Sequence, residues 1–553
     1  MRKILTILLL ACSLVAEADK WYIATAANGG SDTNGDGSIS APWLTLKHAA
    51  DTVTGVAFVG DTIMVGAGTF TETAQSALGL GVSIYGAGVT SIITTNTALN
   101  PIVLLSSASE NTAGNQSISY LKFDGDATAI IGVKAQARGN VIIHHCTFID
   151  FTDNAVRFTG LVSGSGAPTN YAEDNKVYNC TFTNCGGETF SSPYYYASAA
   201  IGLSGQKDAL IYSNHIDNSL GNYAYGINTN GVGYNMGLNI HDNTILVSPK
   251  HVATEQWQFS IELWNNTGGI QIHDNTLTGS VDFGGVGSND VGSYGYAIKL
   301  YGNSIQLAAL QAWDHSAIIL ESDIDGGVYI YGNYVKNYNY GLTFNALSGP
   351  NDTMDSIFIH HNLFIETTKS TGNYSGRAIS GGVGTEYTNV FIDNNSVYTY
   401  SYIASAGFHF ATSGVTYTNM KIRNNIFNNA YNAIRFENNT IAGLSIDNNL
   451  FYGQTSAVSY VSVTASDTTR SNNLYSTNPL FKSSTDYHLQ STSLARDAGI
   501  DVSATTGGLD FHGASLYGAA YDIGAFEWGV GRMMILNGTT MPTINYKMVL
   551  IDH

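Results

Sequence analysis

The chain has 553 residues, a formal charge of −19, 60 glycines, 34 tyrosines and only 12% charged residues. An acidic surface repels phosphate backbones, which argues against nucleic acid as a partner. No window carries a sustained 3.6-residue apolar stripe, so a chain this long and rich in turn residues reads as one solenoid that grows by adding coils.

Residues 1–18, MRKILTILLLACSLVAEA, have a basic start, an apolar core and an A-x-A ending at Ala16–Ala18. This pattern predicts a signal peptide cleaved after Ala18 and a secreted or cell-surface protein. The LLAC run at Leu9–Cys12 keeps open the alternative of a lipid anchor through Cys12. No later apolar run is long enough to span a bilayer.

Residues 19–90 do not repeat. An opening strand, a glycine-rich polar loop, P-W-x-T-L, a short helix over Thr45–Thr52 and a G-D-T-I-x-V strand are predicted, the helix plugging the open end of the solenoid. The loop from Asp32 to Gly37 has D-x-N-x-D-G spacing, which makes Asp32, Asn34 and Asp36 candidate ligands for calcium, the one cofactor the sequence suggests. Its twelfth position is Trp43 instead of a bidentate Glu, so a solvated turn is the other reading.

Residues 91–488 are the coils. IHDNTI at Ile240–Ile245 recurs as IHHCTF, VYNCTF, IYSNHI, IHDNTL, LYGNSI, IYGNYV, IHHNLF, IDNNSV, IRNNIF and IDNNLF. The step is about 30 residues, within the range of solenoid repeats. The unit I-x-x-N-x-Φ alternates like a strand, so each copy is predicted to stack on the next about 4.8 Å away. Its fourth position is Cys146, Cys180, then Asn214, Asn243, Asn275, Asn303, Asn333, Asn362, Asn395, Asn425 and Asn449. The nine asparagines are expected to form a structural ladder, each at an inward turn with left-handed backbone and amide-bonded to its neighbours. Cys146 and Cys180 fall in one column, which leaves a disulfide, a reduced ladder or a Cys180–Cys185 link as alternatives.

A second series, A-I-x-Φ, runs through Ala155–Phe158, Ala200–Leu203, Ser260–Leu263, Ala297–Leu300, Ala317–Leu320, Ala378–Gly381, Gly407–Phe410 and Ala433–Phe436. Its x position should face outward and reads Arg157, Gly202, Glu262, Lys299, Ile319, Ser380, His409 and Arg435. Trp264, Tyr301, Glu321 and Glu437 follow two residues on. Segments 160–172, 186–197, 248–259, 280–296 and 367–377 read as loops able to wall a groove.

Residues 489–529 form a closing segment with S-x-A-x-D-A-G, D-x-x-G and D-I-G-A-F-E, and 530–553 a tail. The opening arrangement resembles the N-terminal cap of pectin-lyase-like right-handed parallel β-helix proteins. The closing segment is similar to that of their secreted, surface-associated kind, departing at Leu494 and Arg496 and in lacking an Arg shortly after Gly513. The resemblance implies an all-β, single-stranded right-handed parallel β-helix with an N-terminal helical cap, and polysaccharide as partner.

β-Helix enzymes of that kind cleave polysaccharides by lyase chemistry or with paired carboxylates. Lyase chemistry needs a base and a cation at the sugar acid. Lys299 with Glu262 and Glu321 is the best catalytic cluster the sequence offers, with Trp264, Tyr301, His409 and Arg435 as candidate substrate contacts. The bland reading of the same residues is an exposed salt-bridge ladder worth under about 1 kcal/mol. The polygalacturonase N-T-D, G-H-G and R-I-K patterns, the pectate-lyase W-I-D-H and the epimerase D-P-H-E are absent. The sequence therefore predicts a polysaccharide-binding rod without catalytic signature, with a uronate-specific lyase as the alternative.

Overall fold

The computed structural model describes residues 18–528 except 162–169, 187–197, 221–224, 230–233, 248–258, 267, 287–293, 309–315, 325, 346–352, 367–375, 382–385, 399–405, 412–413, 514 and 516–519. The expected signal segment with Cys12, the tail and most of the expected groove loops lie outside the described residues. No helix among the described residues is long and apolar enough to cross a membrane.

Each coil adds one strand to each of three parallel stacks. In the middle of the rod, Ile270–His273 enters the first sheet, Thr276–Leu277 the third and Ser280–Val286 the second, before Ile298–Tyr301 returns to the first. Among the described residues the third sheet has 15 strands, and the other two join in one 33-strand hydrogen-bond network. Alternation puts Ile227, Ile261, Val281, Ile318, Leu342, Ile379, Phe408 and Ile434 above one another in the interior, all fully buried. The chain is a right-handed parallel β-helix, and its core is this set of apolar columns.

The asparagine ladder runs unbroken along the turn between the first and third sheets. Nδ2 of Asn243 donates to Oδ1 of Asn275 at 3.0 Å, and the same bond repeats from Asn214 through Asn449 to Asn473, a member that the repeat reading had not included. Each Oδ1 also accepts the backbone N–H of the preceding ladder residue, as at Asn243 and Asn275. The ladder residues themselves are not left-handed. The residue before each of them is: Ser213, Asp242, Asp274, Gly302, Gly332, His361, Asn394, Asn424, Asn448 and Asn472 have φ between 51° and 65°. Short polar side chains tolerate that region, which relieves the ladder amide of any strain. Cys146 and Cys180 continue the same column, and both are free and buried, as is Cys185, so the disulfide alternative falls away.

At the N-terminal end a helix, Leu46–Thr52, buries Leu46, Ala49 and Ala50 against the first coils. Asp32 accepts from the backbone N–H groups of Leu44 and Thr45 with one oxygen and from the Thr45 hydroxyl with the other, while Asp36 accepts from Ser38 N–H. The polar loop thus braces the cap. Among the described residues no group of three His, Cys, Asp or Glu is placed to hold a metal.

The closing segment folds back along the rod. Tyr487, Ala525 and Phe526 pack on Tyr334, Leu363 and Ile365 of the third sheet, and Leu489, Ala495 and Ile523 on Ile426 and Leu450. Asn394 Nδ2 donates to the carbonyls of Asp522 and Gly524, and Asn424 exchanges hydrogen bonds with Ile500.

Two expectations about the coils need correction. Ala297–Leu300 does not belong to the A-I-x-Φ column: Lys299 pairs in register with Gln271 and Tyr329 in the first sheet. The stretch from Ser280, read as loop, opens as the strand Ser280–Val286, because its two glycines hide an alternation that continues Ile261–Leu263 exactly one coil on.

Candidate active site

The outward column of the second sheet reads, coil by coil, Gly202, Asn228, Glu262, Asp282, Ile319, Thr343, Ser380, His409, Arg435 and Ser459. Glu262 and Asp282 are adjacent in it. Two residues along each strand lies a parallel column in which Trp264, Gly284 and Glu321 are in register. Glu262, Asp282 and Glu321 therefore meet on three successive strands, with Cα atoms of Asp282 and Glu321 about 8 Å apart from strand geometry.

All three carboxyls are buried, at 2%, 1% and 6% exposure. Burial pushes Glu262 up to about 8, with the Glu321 charge adding to the rise and a hydrogen bond from Trp264 opposing it. Asp282 is raised well above its ordinary value by burial, then by the charges of Glu321 and Glu262. Oε2 of Glu262 and Oδ1 of Asp282 have no hydrogen-bond partner among the described residues. Such groups cannot all ionise side by side, so protons are held in the cluster at neutral pH.

Trp264 roofs the cluster. Its indole Nε1 donates to Glu262 Oε1 at 3.3 Å, and its ring lies across Gly284, where a Cβ would come within 2.3 Å of it. Glycine at 284 is what lets the ring lie flat. Beneath it, Ile319 stands in register with Asp282 and packs with Ala199, Tyr225 and Phe259, an apolar wall beside the acids.

Of the residues singled out by sequence, the structure joins Glu262, Glu321 and Trp264, and separates Lys299 and Tyr301 from them. Lys299 lies on the first sheet with its ammonium 4.0 Å from the Tyr296 ring centroid. Tyr301 is sandwiched between His273 and Tyr331, with centroids at 4.6 and 4.9 Å and rings nearly parallel, so both its faces are spent on neighbouring coils. His241, His273 and His360 belong to this same outer stack. His409 and Arg435 share the second-sheet column but lie further along the rod, where both contact Glu437 at 3.3 and 2.8 Å. Burial and the Arg377 charge hold His409 down at about 4, so it is neutral there. Asp282 was missed by the sequence reading; the signal that finds it is V-D-F at Val281–Phe283, in step with I-E-L at Ile261–Leu263.

Fold and face together define a right-handed parallel β-helix with a buried three-carboxyl cluster on one outer sheet. No protein-family model matches the chain, nor does any curated protein. Among solved structures it is similar to the tailspike protein of E. coli bacteriophage HK620, a mutant in complex with pentasaccharide, at 13% identity over 80% of this chain and 81% of that one, TM-score 0.47. It is also similar to alginate lyase from Paenibacillus sp. str. FPU-7, at 16% identity over 61% and 93%, TM-score 0.35. A third is the catalytic unit of a GH87 α-1,3-glucanase from Streptomyces thermodiastaticus strain HF3-3, at 12% identity over 82% and 69%, TM-score 0.35. These likenesses concern the fold alone.

Proposed function

We propose that the chain is a secreted carbohydrate-active protein that hydrolyses glycosidic bonds at Glu262, Asp282 and Glu321. The observation that carries this reading is the buried carboxyl trio on three successive strands, with Glu262 and Asp282 raised by burial and by their neighbours' charges, since hydrolysis of an acetal needs one carboxylic acid and one carboxylate. Glu262 is the general acid: its proton passes to the departing glycosidic oxygen as the bond to the anomeric carbon breaks. Glu321, the most exposed of the three, is the carboxylate that takes a proton from the water whose oxygen bonds to that carbon. Asp282 sits between them and keeps their charges apart.

The test incubates the purified chain with neutral and uronate polysaccharides and reads new reducing ends beside absorbance from unsaturated ends. Hydrolysis gives the first without the second, and Glu262→Gln lowers the rate about 10³-fold, as loss of a general acid does. Unsaturated ends that vanish in Lys299→Ala would replace this reading with the lyase one. Retention of glycan with neither product would leave a binding rod.

A further inference from the structure

We infer that the cleft between the first sheet and the folded-back closing segment is a second saccharide site, built for a sugar bearing a carboxylate and separate from the carboxyl trio. The cleft measures about 740 Å³ and is floored by Lys299, Tyr301, Tyr331 and Asp274 and roofed by residues 503–507 and 509–513. That volume is within the range of small-ligand sites.

The hollow is written into the repeat. From His145 to Asn472, the left-handed position before the ladder residue carries a side chain in every unit except two, Gly302 and Gly332, which are consecutive and both line the cleft. Backbone strain does not demand glycine there, because Asp274 and His361 on the flanking coils hold φ of 55° and 51°. What glycine leaves there is room for a ligand: a Cβ at Gly332 would sit in ordinary contact, 3.4 Å from the Phe511 carbonyl oxygen of the roof, and one at Gly302 would come 2.6 Å from Oδ1 of Asp274, the end of a side chain that can turn aside, so any side chain at either position would occupy the hollow. The roof is pinned beside this hollow. Thr505 Oγ1 donates to Asp393 Oδ2 at 2.6 Å, Arg423 bridges to both, and Phe511 N–H donates to the Ala525 carbonyl.

The lining states the ligand's chemistry. Lys299 has no carboxylate within ion-pair distance among the described residues, and its ammonium rests over Tyr296 at 4.0 Å and Tyr329 at 6.0 Å, held at the cleft by rings that do not neutralise it. A single point charge of this kind takes one anionic group. Tyr301 and Tyr331 spend their faces on the stack and offer only edges, so a flat aromatic ligand finds nothing to stack on. Burial raises both phenols, which stay protonated as hydroxyl donors. Asp274, bound to His273 at 2.8 Å but still 31% exposed, supplies an acceptor for sugar hydroxyls. The lining also holds Asp510, whose oxygens accept from the backbone N–H groups of His512 and Glu527, which leaves Lys299, the one lysine or arginine among the described residues of the cleft, to meet the carboxylate of an acidic saccharide and the phenols and Asp274 to meet its hydroxyls.

Calorimetric titration of Glu262→Gln, which leaves the probe uncleaved at the trio, with tetragalacturonate and with its carboxyl-reduced counterpart tests this. The acidic form should bind, and the reduced form should bind roughly tenfold more weakly, the loss expected for one charge-assisted contact. Lys299→Gln in the same background should reproduce that loss. Gly302→Asn with Gly332→Asn fills the hollow with the residue that positions 394 and 424 carry in the same backbone state, so the fold is kept while binding falls. Absence of binding, or binding that none of these changes weakens, overturns the site. Failure of Glu262→Gln to lose hydrolysis would overturn the proposed function and leave this inference standing.

Discussion

Glu262 places an uncompensated acid in the wall of a β-helix, and the protonation that follows is measurable. Its value rises from an ordinary 4.5 to about 8 in the folded chain because burial penalises the charged form. Between those two values the unfolded chain ionises while the folded one does not, so this group's contribution to stability is complete below about 4.5 and is lost as pH rises towards 8. The melting temperature should therefore fall between pH 5 and 9, and fall less in Glu262→Gln. Equal slopes would mean the carboxyl is solvated. Hydrolytic rate should drop on the alkaline side for the same reason, as the acid loses its proton. Gly284→Ala tests the roof: its methyl would meet the Trp264 ring at 2.3 Å and must tilt it. Overpacking of this kind costs about 1–3 kcal/mol, and the rate should fall further than stability, read by comparing turnover with a urea titration.

The stacked turn is the element that makes the coils legible. Asn333 donates to Asn362 and receives from both the side chain and the backbone of Asn303. Asn333→Ala would leave the buried backbone N–H of Asn303 without an acceptor, at about 1–3 kcal/mol, while the Asn303 amide keeps the carbonyls of Ile272 and Tyr301. Asn473→Ala at the end of the ladder removes the same acceptor from the Asn449 N–H, but at a partly exposed position where water can take its place, and should cost less. Urea midpoints of the two variants measure the difference, and equal losses would show that the ladder is incidental. The ladder was readable because one residue type at one step of about 30 has few physical explanations. The left-handed residue was misplaced by one, since Asn at positions 394, 424 and 448 precedes Asn at 395, 425 and 449 and blurs which of the two bends the chain. Asp282 was not readable for a related reason: glycines at 284 and 285 are turn residues by composition, and only the neighbouring coils show that they lie in a strand. Lys299 was placed beside Glu262 because A-I-K-L and S-I-E-L look alike, yet the first opens a first-sheet strand and the second lies in a second-sheet one.

At the scale of the whole molecule, the closing segment turns a bare solenoid into a rod with one side covered. Its D-I-G-A-F-E motif acts as a lock: Asp522 accepts from the backbone N–H groups of Asp497 and Trp528 at 2.7 and 2.6 Å, and Glu527 accepts from Asp522 N–H at 3.1 Å. Burial raises Asp522 to about 6 against the pull of its two N–H donors, while burial and the Asp522 charge push Glu527 up to about 8, so Glu527 is the one of the two that keeps its proton at neutral pH. The lock is therefore complete below the ordinary glutamate value of 4.5 and weakens as pH rises through about 8, where a second buried charge would have to form. Limited proteolysis across pH 5 to 9 should show cleavage between Leu489 and Trp528 growing on the alkaline side while the coils stay resistant. Glu527→Gln, which cannot ionise, should hold the segment down throughout. Since the same segment roofs the Lys299 cleft, saccharide binding there should weaken over the same pH range in the wild-type chain and not in Glu527→Gln. Cleavage insensitive to pH would mean that the lock is held by the apolar packing of Phe526 and Ile523 alone.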